Sequence, residues 1–206
     1  MKLPYEIHAT VIDVEALRFR QICTIEQVKP VLLELQSRTN GVLKDAMTSS
    51  TIRATLYEAI EQAAQLAKRL ETIYQLTVPR LKLETVPWHP LALNPVTRAE
   101  HQYLECHLQL ALSEDDASGS SWDNLVTVCG ALDLHLSRNV FKRTIDNKAI
   151  YMATLRNYTA TPAYFAELVD TCHQVLQQHT SADISKTDIE FAIMDTNPNH
   201  DRMWMT

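Results

Sequence analysis

Two stretches of strict alternation constrain this chain more than anything else in it. In Tyr5-Glu6-Ile7-His8-Ala9-Thr10-Val11, the residues Tyr5, Ile7, Ala9 and Val11 point one way and Glu6, His8 and Thr10 the other. A period of two is that of a half-buried strand. Here its second face carries an acid, an imidazole and a hydroxyl. The pattern returns as Tyr103-Leu104-Glu105-Cys106-His107-Leu108-Gln109-Leu110. Both copies hold Glu-x-His followed two residues on by a small polar side chain.

The elements between these strands fall in the same order twice. After the first strand, Asp13 is a candidate cap for a short helix burying Leu17, Phe19, Ile22 and Cys23. Val31–Gln36 and Val42–Met47 read as strands joined at Thr39-Asn40-Gly41, and Asn-Gly between strand-like runs is a strong hairpin signal. Met47 to Thr51 supplies candidate caps for the clearest helix, whose stripe is Leu56, Ala59, Ile60, Ala63, Leu66, Ala67, Leu70 and Ile73. Arg80–Val86 alternates again, with Lys82 and Glu84 on one side.

The second half repeats this order. A strand over 101–112 leads through the polar loop 113–121 to a helix capped by Ser121. Strands over 136–144 and 149–155 turn at Asp146-Asn147. A helix starts at Thr161-Pro162, and a strand over 184–194 precedes a polar tail at 195–206.

The order β-α-β-β-α-β is that of a ferredoxin-like unit. The expected fold is therefore α+β: a tandem duplication of that unit, with two antiparallel sheets and a polar cleft between them. Residues 1–87 form the first repeat, 88–100 a proline-rich connector (Pro90 and Pro95, following Pro87, make it stiff and extended), and 101–206 the second repeat. The internal match extends to Cys23 with Cys129, Met47 with Met152, and Leu83-Glu84 with Ile189-Glu190.

Composition narrows the function classes. A net charge of −6 gives no general attraction to nucleic acid or to an anionic membrane. With three glycines and no GxGxxG or GxxxxGK[ST], glycine-rich phosphate loops are excluded. No apolar run reaches the length of a membrane span. Met1-Lys2-Leu3-Pro4 runs directly into a strand, so no signal peptide is expected. Cys23, Cys106, Cys129 and Cys172 form no CxxC pair, and a cytoplasmic protein with reduced thiols is expected. Cys23 and Cys129 read as core thiols.

The bare sheet faces hold the candidate chemistry. One carries Glu6, His8, Thr10, Lys82 and Glu84; the other carries Glu105, His107, Gln109, Asp188 and Glu190. Facing each other, they would line a cleft with two histidines and several carboxylates. Imidazole titrates near neutrality, so one histidine can accept a proton while the other donates it. Arg138, Lys142, Arg143, Lys148 and Arg156 cluster around the second hairpin as a candidate anion site or a solvated rim. His89 and His200 follow the last strand of each half and could reach the cleft.

His8-Ala9-Thr10 and His107-Leu108-Gln109 resemble the paired His-x-Thr/Ser motifs of the two-lobed 2H phosphoesterases. That resemblance implies a cyclic phosphodiesterase-type hydrolase in which His8 and His107 are general base and acid, with Thr10 and Gln109 beside them. Glu6, Glu84, Glu105 and Glu190 would be supporting carboxylates. Gln109 stands where the family has a hydroxyl.

The expected function is thus binding of a small anionic ligand between the repeats, with no cofactor. A second reading takes His8, Glu84, His107 and Glu190 as ligands of a divalent metal, an arrangement similar to that of the vicinal oxygen chelate enzymes. A third takes the polar faces as solvated, with cross-strand Glu–His pairs. The chain is then a non-catalytic tandem binding or dimerisation module, assembling as a homodimer.

Overall fold

The computed structural model describes residues 1–37, 41–113, 115–144, 146 and 148–200. The first half runs β1 (Leu3–Ile12), α1 (Ala16–Ile25), β2 (Lys29–Ser37), β3 (Gly41–Ala54), α2 (Leu56–Thr72) and β4 (Thr77–Thr85). After α3 (Pro90–Leu93) and a 3-10 turn at Pro95–Thr97, the second half runs β5 (Tyr103–Leu112), α4 (Gly119–Ala131), β6 (His135–Arg143), β7 (Ala149–Asn157), α5 (Pro162–His179) and β8 (Asp183–Asp195).

The expectation of two separate sheets is corrected. All eight strands form one closed antiparallel barrel in the order β1-β3-β2-β6-β7-β5-β8-β4. Each half supplies four consecutive staves, and the halves meet edge to edge at two seams. Leu33 pairs with Asn139 and Glu34 with Arg138 at the β2–β6 seam. Lys82 pairs with Asp195 and Glu84 with Ala192 at the β4–β8 seam. The physical reason is the open edge. Two separate four-stranded sheets leave four rows of backbone donors and acceptors unpaired, and barrel closure pairs these edges with one another. No cleft remains between sheets; the polar faces line the inside of the barrel.

The apolar faces point outward, under the helices. Tyr5, Ile7, Ala9 and Val11 of β1 are all buried there. Facing them, α2 buries Ala59, Ala63, Leu66, Ala67 and Leu70. In the second half, α5 buries Phe165, Val169, Cys172 and Leu176 over β5 and β8. The four cysteines are free and buried; desolvation pushes the thiols of Cys23, Cys106 and Cys129 up to about 12, so they stay protonated.

Local differences from the sequence reading have local causes. β3 runs on to Ala54, so Thr48, Ser49, Ser50 and Thr51 are strand residues rather than caps. The cap of α2 is Thr55, which closes a capping box with Glu58: the Glu58 amide donates to Thr55 Oγ1 at 3.3 Å and the Thr55 amide to Glu58 Oε2 at 2.7 Å. Glu15 caps α1 in place of Asp13, whose φ of 57° puts it in the left-handed region. Ser118, not Ser121, precedes α4. The connector is not extended throughout: His89 caps the short α3, accepting from the Leu91 amide at 3.2 Å. Asn40, Asn147 and residues 201–206 of the expected turns and tail lie outside the described residues. Among the described residues no helix is long and apolar enough to cross a membrane.

Candidate functional site

Inward-facing side chains enclose a cavity of about 240 Å³ inside the barrel. Its wall includes Glu6 and His8 from β1, Lys82 and Glu84 from β4, His107 from β5, and Asp188 and Glu190 from β8. Thus the two Glu-x-His strands, on opposite sides of β8 and β4 in the barrel order, turn the same face to one space. Their pairing register explains the meeting. Glu6 lies opposite Glu84 and His8 opposite Lys82 on one side; Glu105 lies opposite Glu190 and His107 opposite Asp188 on the other.

The charged groups form a continuous chain across the interior. His8 Nε2 stands 2.8 Å from Glu84 Oε2, and Lys82 Nζ 2.7 Å from Glu84 Oε1. Lys82 also donates to Glu105 Oε2, and Arg156 Nε donates to Glu105 Oε1. His107 Nε2 lies 3.4 Å from Glu105 Oε2. Glu105 is fully buried and Glu84 is 1% exposed. Buried carboxylates persist only where cations and donors surround them, and here Lys82 is shared between both.

Each protonation state has an identifiable cause. Burial opposes the Glu105 carboxylate, but Arg156, Lys82 and His107 outweigh it and hold its pKa well below the usual range. Burial likewise opposes ionised Glu84, and Lys82 and His8 reverse that, lowering its pKa. Burial alone would lower the His8 pKa; the hydrogen bond and charge of Glu84, then Glu6, raise it instead. Geometry agrees: His8 Nδ1 lies 3.1 Å from the Thr48 carbonyl, which can only accept, and Nε2 faces a carboxylate. Both contacts are those of ring N–H donors, an arrangement that favours the imidazolium form of His8. His107 is raised too, since Glu105 outweighs burial; its Nδ1 lies 3.0 Å from Thr154 Oγ1.

Glu190 differs from its neighbours. It makes no hydrogen bond or ion pair among the described residues. Burial, then the like charge of Glu84, pushes its carboxyl up to about 7. At the mouth, Lys29 is exposed and also makes no ion pair among the described residues, whereas Lys186 Nζ is held by Asp188 Oδ2 at 2.5 Å.

A second buried charge cluster adjoins the cavity, with Arg80 on the cavity wall. Arg80 grips Asp195 with two hydrogen bonds, Nε to Oδ1 at 2.9 Å and Nη2 to Oδ2 at 2.6 Å. The Tyr103 hydroxyl donates to Asp195 Oδ2 at 2.7 Å, and the Arg156 guanidinium lies 5.1 Å from the Tyr103 ring centre. Arg80, Tyr103 and Asp195 are all buried.

Other candidates from the sequence lie elsewhere. Thr10 is buried opposite Arg80 and is not on the cavity wall. Gln109 Nε2 donates to Ser185 Oγ at 2.9 Å, also off the wall. His89 stacks on Phe191 with ring centres 6.1 Å apart, and His200 Nε2 reaches Asp45 Oδ1 at 3.3 Å. Of the hairpin cations, Arg156 points inward, Arg138 meets Glu34 at 3.7 Å, and Lys148 meets Asp146 at 3.6 Å. The sequence reading missed Arg80, Asp195, Ser137, Asn139 and Thr154. Strand parity was the available signal for two of these: Arg80 shares the face of Lys82 and Glu84, and Thr154 that of Arg156.

No family model matches the chain, and no curated protein matches it. Solved structures resemble it only distantly. An anthrone oxidase-like protein is 7% identical over 94% of this chain and 92% of its own, with a TM-score of 0.31. The acetolactate synthase small subunit from Thermotoga maritima is 13% identical over 94% and 96%, with a TM-score of 0.29. Neither likeness bears on what this chain binds.

Proposed function

We propose that the barrel interior binds a small ligand carrying an anionic group, which enters past Lys29 and meets His8 and His107 inside. The observation that supports it is the convergence of both histidines, each backed by a buried carboxylate, on one cavity. That cavity, at about 240 Å³, falls below the roughly 300–1,000 Å³ of drug-sized sites, so the ligand is small. The internal cations are matched by Glu84, Glu105, Asp188 and Asp195, which among the described residues leaves Lys29 as an uncommitted positive charge on the cavity wall. Proton transfer to or from the ligand is the chemistry such a wall can perform. The phosphodiesterase reading is not carried forward, because Thr10 and Gln109 do not join the histidines on the wall.

Two variants test this. Lys29→Glu reverses the entrance charge while remaining exposed, so stability should stay within about 0.5 kcal/mol. Affinity for inorganic phosphate or pyrophosphate, followed by thermal shift at low salt, should fall about tenfold. Met152→Trp fills the cavity and should abolish the shift. Equal phosphate binding by wild type and both variants would place the ligand elsewhere.

A further inference from the structure

We propose that Glu84, His107 and Glu190 form a site for one divalent first-row metal ion inside the barrel. One nitrogen of His107 and one oxygen from each carboxylate lie within 4.8 Å of one another. Ligand atoms about 2.0–2.2 Å from a common tetrahedral ion are about 3.3–3.6 Å apart, so rotamer shifts that close the three atoms by about an ångström complete the set. The three residues come from β4, β5 and β8, which are consecutive in the barrel. Hydrogen-bonded neighbouring strands hold them in fixed register.

The second observation is that the donors are incompletely satisfied. Glu84 Oε1 is buried and accepts no hydrogen bond; Lys82 Nζ, 2.7 Å away, faces it only as an ion pair. Glu190 has neither hydrogen bond nor ion pair among the described residues. Two carboxylates thus share one corner of a low-dielectric cavity, and a dication between them removes their repulsion. His8 fixes Glu84 through its other oxygen, at 2.8 Å, and so orients Oε1. Such outer partners tune ligand geometry. His8 is a positioning residue here, not a ligand, which narrows the four-residue set expected from sequence to three. Two carboxylates and one imidazole suit Mn²⁺, Fe²⁺ or Zn²⁺, and three protein ligands leave positions open towards the cavity.

Lys82 is the competitor. Its ammonium occupies the same side of Glu84 that the metal would use, so removing it should strengthen metal binding rather than weaken it.

The test is a Mn²⁺ titration of chelator-stripped protein, read by electron paramagnetic resonance, with no anionic ligand present. Its outcome is therefore independent of the ligand proposed above. Wild type should bind one Mn²⁺ per chain, displaced by Zn²⁺. Glu190→Gln should weaken the Kd about tenfold or more, and Lys82→Met should tighten it. No Mn²⁺ bound by wild type at about 1 mM, the weak end of the affinity scale, would overturn the site. So would wild-type affinity in Glu190→Gln. That variant loses no native hydrogen bond or ion pair among the described residues, so it keeps the test decisive if Lys82→Met does not fold.

Discussion

Glu105→Gln should destabilise the protein by about 3–5 kcal/mol, the cost of breaking a buried ion pair from one side. Glu105 is fully buried and accepts from both Lys82 and Arg156. Glutamine keeps the shape but cancels the charge, and its amide group turns a donor towards one of two cations. Lys82 keeps Glu84 as a partner, while Arg156, with 5% of its side chain exposed, faces a neutral amide in place of the Glu105 carboxylate. Against a total stability of about 5–15 kcal/mol, that loss takes much of the margin. Glu6→Gln is the control. Glu6 is 31% exposed along its side chain, so its removal should cost below about 1 kcal/mol. Urea denaturation of both variants separates the cases. Equal, small losses would mean that water reaches Glu105.

Asp195→Asn should cost about 3 kcal/mol at neutral pH by the same mechanism, and its pH dependence is specific. Asp195 is 2% exposed and is held by Arg80 and Tyr103. Burial alone would raise its pKa, but Arg80 reverses this and the folded value lies below the ordinary one. A carboxyl lowered on folding adds stability at pH values above its unfolded pKa of about 3.9. That contribution is lost as pH falls through the folded value. The gap between wild type and Asp195→Asn should therefore be constant from about pH 5 upward and narrow below about pH 4. Denaturation midpoints measured from pH 3 to 7 check this. A gap that persists unchanged at pH 3 would mean the Asn variant fails through packing rather than charge.

The parts of this molecule that were legible in its sequence are those written in side-chain periodicity. Alternation in β1 and β5 marked the faces carrying Glu6, His8, Glu105 and His107, and all four groups sit inside the barrel. The stripe from Leu56 to Leu70 marked α2 and its buried side. Closure of the barrel was not legible, because edge pairing is made by backbone groups and leaves no side-chain signature. Nothing in the sequence near Leu33 or Asn139 announces that they pair. The depth of a residue in the barrel was not legible either. Thr10 shares a face with His8, yet residues two apart on a strand are separated by about 6.6 Å, and Thr10 is not on the cavity wall although its strand partner Arg80 is. The same spacing takes Gln109 past the wall to Ser185. Long-range charge pairing was the other hidden layer: Arg80 and Asp195 meet across the β4–β8 seam, which exists only once the barrel has closed.

The claim on which the rest depends is that ligands enter the barrel and reach its two histidines. Nitrogen-15 histidine spectra, recorded in chelator-containing buffer during a phosphate titration, test it most directly. The account predicts that resonances of His8 and His107 shift together and saturate, while those of His173 and His179 on α5, outside the barrel, stay fixed. Shifts confined to His173 and His179, or saturable phosphate binding that leaves His8 and His107 unmoved, would contradict it.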